Sequence, residues 1–119
     1  MKTVRVILKA EAEEEFERLN KLVGDEQKKG ITNSPNQQLL RSIKRVTELL
    51  KENPQYGDHI PRALAMKTGL PVANLWRIEL TGYWRMLYTI TGNCIEIICY
   101  VLDIMDHRKY DKLFRYRKK

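Results

Sequence analysis

Apolar and polar residues alternate with a period of two through Leu75 to Ile104, a stretch that predicts three consecutive antiparallel strands. Trp76, Ile78 and Leu80 alternate with Arg77, Glu79 and Thr81. After a turn at Gly82-Tyr83, Trp84, Met86, Tyr88 and Ile90 alternate with Arg85, Leu87 and Thr89. Thr91-Gly92-Asn93 then turns the chain into Ile95 to Ile104, which is apolar at nearly every position. A strand of that kind is normally covered on both faces, so it is expected in the middle of the sheet. The register of the first hairpin decides what the sheet displays. A two-residue turn would set Arg85 beside Ile78 and Leu80, whereas a three-residue loop or a bulge gathers Arg77, Glu79 and Arg85 on the other face. Burying an unpaired guanidinium is costly, so the second register is expected. It leaves one face in the core and one polar face, the candidate site.

The remaining elements follow from the same patterning. Thr3 to Leu8 is a β-branched run that predicts a first strand joining the later sheet. From Ala10 to about Val23, the residues Ala12, Phe16, Leu19, Leu22 and Val23 fall on one helical stripe opposite a Glu-rich face, and either Gly24 or Lys28-Lys29-Gly30 ends that helix. Ser34-Pro35-Asn36-Gln37 has the form of a capping box with proline at the first helical position. Leu39, Leu40, Ile43, Val46, Leu49 and Leu50 carry this second helix to Lys51, and Asn53-Pro54 stops it. Gln55 to Ala73 reads as a long loop broken by Gly57, Pro61, Gly69 and Pro71, with one helical turn around Ala63 to Lys67. The order β-α-α-β-β-β predicts an α+β layer fold, an antiparallel sheet with both helices on its apolar face.

Composition narrows the class. The 119 residues suffice for one domain, 1–119, with a modest core. No apolar run reaches the ~20 residues of a membrane span, and the start MKTVRVILKAEAEEE does not resemble a secretory signal, so a cytoplasmic protein without membrane partners is expected. Cys94 and Cys99 are five apart on one predicted hairpin, which points them to opposite faces and disfavours a bridge. With no CxxC and no His–Cys cluster, no metal and no cofactor are expected. Of the net charge of +7, all but one unit falls between Arg108 and Lys119, where Arg108, Lys109, Lys112, Arg115, Arg117, Lys118 and Lys119 face only Asp111. That asymmetry favours an anionic partner, with a merely solubilising tail as the plainer reading.

Two stretches carry a resemblance. LWRIELTGYWRMLYTI is similar to the aromatic-Arg-Ile and Tyr/Trp-Arg-Leu-Val-Tyr double strand of the RelE/ParE superfamily of toxins from toxin–antitoxin pairs, and DIMDHRKYDKLFRY resembles the His-x-x-Tyr ending of many members. The resemblance covers roughly the last 45 residues, with the helices matching in pattern only. It implies a metal-independent mRNA interferase, commonly acting at the ribosomal A site. There the 2′-hydroxyl attacks the adjacent phosphate to give a 2′,3′-cyclic phosphate and a 5′-hydroxyl. ParE-type members instead poison DNA gyrase without cutting RNA. Partners implied are a cognate antitoxin that wraps the toxin, mRNA and the ribosome, and a homodimer stays open.

Arg85 stands where the family's recurrent arginine stands. A guanidinium on a sheet face can grip a phosphate with two donors and stabilise charge growing during transfer. An ion pair with Glu79 is its structural alternative. His107 suits a general acid, since imidazole titrates near neutrality, and a helix-start residue flanked by Asp106 is the competing reading. Tyr110 shares its helical face, for chemistry or for packing. A general base is least defined: Glu79 shares the face of Arg85, while Asp58 and His59 lie in the long loop. Arg77, Lys67, Arg62, Arg108, Lys109, Lys112 and Arg115 are expected to contact RNA. Trp76, Trp84, Tyr88, Tyr100 and Phe114 are aromatic residues able to stack bases, but Trp76, Trp84 and Tyr88 belong to the core face, where packing is the better account; Tyr83 at the turn is the aromatic expected to be exposed.

Overall fold

The computed structural model describes residues 2–93 and 96–115, so Cys94 and residues 117–119 of the basic tail lie outside the described residues. Strand β1 (Thr3–Leu8) leads into helix α1 (Ala10–Lys28) and helix α2 (Pro35–Glu52). The long loop holds a short strand β2 (Asp58–His59) and a one-turn helix α3 (Arg62–Met66). Strands β3 (Trp76–Glu79), β4 (Trp84–Gly92) and β5 (Glu96–Asp106) follow, and helix α4 (His107–Leu113) closes the described chain. Among the described residues, no helix is long and apolar enough to cross a membrane.

The strands form one sheet in the order β1-β5-β4-β3-β2. The expectation of a purely antiparallel sheet is corrected at its edge, because β1 runs parallel to β5, pairing Thr3 with Glu96 and Leu8 with Val101. A pattern of side chains fixes which face of β1 is apolar but not its direction, and here the α1–α2 excursion returns the chain to the sheet from the far end. β5 does lie inside the sheet, between β1 and β4.

α1 runs past Gly24 and ends at Lys28, just before Gly30, whose φ of 74° breaks the helix. An interior glycine costs about 1 kcal/mol, less than the packing of Leu19 and Val23 supplies, so the helix continues through it. At the start of α2 the Ser34 hydroxyl accepts from Gln37 N at 3.1 Å, but Gln37 Oε1 accepts from Asn33 N, so only half of the capping box forms as expected. Glu26 at the end of α1 accepts from Ser34 Oγ, Asn36 Nδ2 and Gln37 Nε2, tying the two helices together at their elbow.

The register of the β3–β4 hairpin is the one that frees the arginines. Thr81–Tyr83 form a three-residue 3-10 turn, Ile78 pairs with Met86, and Glu79 pairs with Arg85. Ile78, Leu80, Met86 and Tyr88 therefore join Cys99, Val101 and Ile104 against Ile43, Val46 and Leu50 of α2 and Leu19 of α1. Burial pushes the Cys99 thiol up to about 11, which keeps it protonated and inert.

The opposite face departs from expectation. It is not an open polar surface: Leu87 and Met105 lie there and are covered by Ile60, Leu75, Tyr110 and Phe114 in a second, smaller cluster. A bulge in the β4–β5 ladder leaves Leu102 unpaired between Val101 and Asp103, and Leu102 packs into the same cluster. α3 and α4 are thus the lid of a minor core, and the arginines emerge at its margin.

Candidate functional site

The minor core positions the charged groups. Arg77 follows from β3 onto this face, opposite Leu87, and Arg85 lies one ladder step away, opposite Glu79. Both guanidiniums lean on the ring of Tyr110, with their central carbons 5.9 Å and 5.2 Å from its centroid. Tyr110 is brought there by α4, whose first turn is capped by Asp106 accepting from Lys109 N at 3.0 Å. Phe114 supports the ring from behind at a centroid distance of 4.5 Å.

Arg77 is the more restrained of the two. Its Nη1 donates to the Tyr110 hydroxyl at 3.1 Å and its Nη2 to Asp58 Oδ2 at 3.3 Å. Burial works to lower its pKa, but the Tyr110 and Asp58 oxygens outweigh it and leave the pKa raised. Arg85 Nη1 donates to the Tyr83 carbonyl at 3.0 Å, while its Nη2 stands 3.8 Å from Glu79 Oε1. The Arg85 side chain is 18% exposed and that of Glu79 67%, so the carboxylate is a loosely held counter-ion over the outer edge of the guanidinium. At 3.8 Å and with its carboxylate well solvated, such a pair is worth about 0–1 kcal/mol, and an incoming anion can displace Glu79 cheaply. Among the described residues, Nε of both arginines is buried without a hydrogen-bond partner. Each such donor costs about 1–3 kcal/mol, which an apolar residue at the same place would avoid.

His107 is exposed at the start of α4, one residue beyond Asp106, which pairs with Trp84. Its ring meets that of Tyr83 edge-on, 6.0 Å between centroids and at 69°. Tyr83 thus links His107 by its ring and Arg85 by its carbonyl. Arg77, Glu79, Arg85, His107 and Tyr110 are brought to one margin of the sheet. Tyr110 is only 3% exposed, and packing under the arginines is the role its position gives it.

The other expected contact residues are dispersed. Arg62 lines a separate hollow with His59, Met66 and Leu70, and Lys67 is exposed just after α3. His59 itself packs edge-on against Trp76 at 5.0 Å. Lys109 points to the α1 flank, where its Nζ bonds Asp103 at 3.0 Å and stands 3.8 Å from Glu11. Its ammonium is therefore committed to carboxylates, which the charge count along the chain could not reveal. Arg108, Lys112 and Arg115 are exposed on and just after α4. Among the described residues, no three His, Cys, Asp or Glu side chains gather as metal ligands would. Asp58, weighed from sequence as a general base, is instead a partner of Arg77, and Tyr83, expected only to be exposed, links Arg85 and His107. The Gly82-Tyr83 pair in a hairpin turn was the available sign for Tyr83; the loop around Asp58 carries no periodicity that could have shown which residue its carboxylate meets.

No family model and no curated protein matches the sequence. Among solved structures, a YoeB/ParE toxin from Agrobacterium tumefaciens superposes with a TM-score of 0.59 at 14% identity, over 87% of this chain and 98% of the other. Because the match spans nearly the whole of both molecules, it extends the resemblance of the hairpin and the carboxy-terminal segment to the entire element order: the chain has the fold of the RelE/ParE-type toxins.

Proposed function

We propose that the protein is the toxin of a toxin–antitoxin pair, neutralised by a cognate antitoxin, and that it cleaves mRNA and so arrests translation. The observation that carries this reading is the convergence of Arg77 and Arg85 on the Tyr110 ring, with His107 joined to Arg85 through Tyr83 and the exposed carboxylates of Asp58 and Glu79 as counter-ions. A phosphodiester placed over this margin displaces Glu79 from Arg85 and receives its Nη donors. The 2′-oxygen then forms a bond to phosphorus as its proton passes to a base, with Glu79 the carboxylate at hand. The bond from phosphorus to the 5′-oxygen breaks, and His107 gives that oxygen a proton. The products are a 2′,3′-cyclic phosphate and a 5′-hydroxyl. Arg85 stabilises the charge that grows on the phosphoryl oxygens, and Arg77 holds the Tyr110 platform and adds positive potential. The side chains supply the proton transfers themselves, so the step as written needs no metal.

Primer-extension mapping of mRNA ends after brief induction tests the reading. New ends are expected within coding regions for the parent, and Arg85→Ala and His107→Ala are each expected to lower cleavage by about 10²-fold or more. If both variants cut like the parent, these roles are wrong. Intact mRNA accompanied by a supercoiling defect would instead assign the protein to gyrase poisons.

A further inference from the structure

Resting on the RNA-cleaving reading above, we propose that Tyr83 is the stacking platform for a nucleobase flanking the scissile phosphate. The residue sits in the left-handed region, with φ of 63°, in the turn between β3 and β4. That conformation favours glycine, asparagine or aspartate, and a tyrosine there is strained. The residue is 75% exposed, the highest value among the large apolar residues of the described chain. Neither the backbone nor burial therefore accounts for an aromatic ring at this place. The ring forms a wall of the hollow that also contains Glu79 and Arg85. Its carbonyl accepts from Arg85 Nη1, and its edge-on contact with His107 leaves ring surface open to solvent. A phosphate held by Arg85 with its leaving oxygen toward His107 has its neighbouring sugar and base over this ring. Aromatic rings beside phosphate-binding cations are how single-stranded RNA is gripped without readout of base identity. The same contact moors Tyr83 to both groups that act on the phosphate, so base stacking and phosphate placement are set by one turn.

The test uses the full-length protein and a short RNA carrying one cleavage site, made uncleavable by a 2′-deoxyribose at that site, with binding followed by fluorescence anisotropy. The parent is expected to bind about tenfold more weakly when the base flanking the scissile phosphate, on one side or the other, is replaced by an abasic ribose. Tyr83→Ala is expected to lose about tenfold on the intact RNA and nothing further on the abasic one, while Tyr83→Trp keeps the parent's behaviour. Tyr83→Gly and Tyr83→Asn suit the left-handed turn and are expected to melt no lower than the parent yet bind as weakly as Tyr83→Ala. Parent-like affinity of a folded Tyr83→Gly, or an undiminished abasic penalty in Tyr83→Ala, overturns the stacking role while leaving the nuclease reading standing. A parent that neither binds nor cuts RNA brings down both.

Discussion

On the helical face of the sheet, Met86, Tyr88, Val101 and Ile104 meet a continuous layer of aliphatic residues from two helices of 19 and 18 residues. On the other face, Leu87 and Met105 meet a patch assembled from a five-residue helix, a seven-residue helix and loop residues such as Leu75. The first arrangement buries long regular stripes and stabilises the sheet. The second buries just enough to hold Tyr110 under two arginines, and it leaves their Nε atoms without partners among the described residues. One sheet thus keeps its large, dry contact for stability and uses a small, polar-edged one to aim charges. A site built on the small cluster can be altered without unfolding the domain.

The contrast is sharpest in paired truncations. Leu50→Ala, at a fully buried position of the main core, is expected to cost about 2–5 kcal/mol of global stability, read as a drop in the urea midpoint at unchanged m-value. Phe114→Ala removes the support of Tyr110 and is expected to free α4 first, so that hydrogen exchange speeds up in α4 while β4 and β5 keep their protection. Equal loss of protection in all three would mean that both faces unfold as one unit.

A smaller cost is expected where the long loop is pinned to the sheet. Gly57 N donates to the Tyr88 hydroxyl, which donates to the Pro54 carbonyl at 2.8 Å. A Cβ at Gly57 would stand 2.6 Å from the Arg77 carbonyl and 2.8 Å from the Tyr88 oxygen, so Gly57→Ala should lower stability by about 1–3 kcal/mol in chemical denaturation. Because that loop also carries Asp58, the proposed RNA cleavage should weaken with it. Tyr110→Phe, which deletes the acceptor of Arg77 Nη1, should cost about 1 kcal/mol and reduce the proposed cleavage far less than Arg85→Ala. A loss in Tyr110→Phe as large as that of Arg85→Ala would give the phenol a direct part in the chemistry.

The least effect belongs to the helical elbow. Hydrogen bonds from Ser34 first, then from Asn36 and Gln37, hold the Glu26 carboxyl below its ordinary value of 4.5. A carboxylate depressed in the folded state lends stability that is fully present above its unfolded pKa and lost as pH falls through the folded one. Glu26→Ala should therefore melt slightly below the parent at neutral pH, and the two should converge as acid protonates the carboxyl, at a pH below its ordinary value of 4.5. A gap that persists in acid would show that the contribution of Glu26 is packing.

Much of the hairpin could be read from the chain because a period of two, interrupted by the charged residues Arg77, Glu79 and Arg85, admits only one economical register. The stripe from Leu39 to Leu50 was equally plain. What escaped were contacts that no local period encodes. The minor core gathers Ile60, Leu75, Met105 and Phe114 from four separate segments, so the polar face looked barer than it is. Tyr110 and Lys109 are neighbours in sequence, yet one turns in beneath the arginines and the other goes out to Asp103 and Glu11, a division set by the entry angle of α4. The direction of β1 likewise depends on the length of the intervening helices.

That parallel edge has an outcome for how the molecule comes into being. Strand β1 finds its hydrogen-bonding neighbour at Glu96 to Val101, 93 positions further along the chain, so TVRVIL can dock only once that distant strand is in place. Until then those β-prone residues stay unpaired, and closing so wide a separation is the slow kind of folding event. The hairpin bearing Arg77 and Arg85 is local in sequence, so it can form while the sheet beside it is still unfinished.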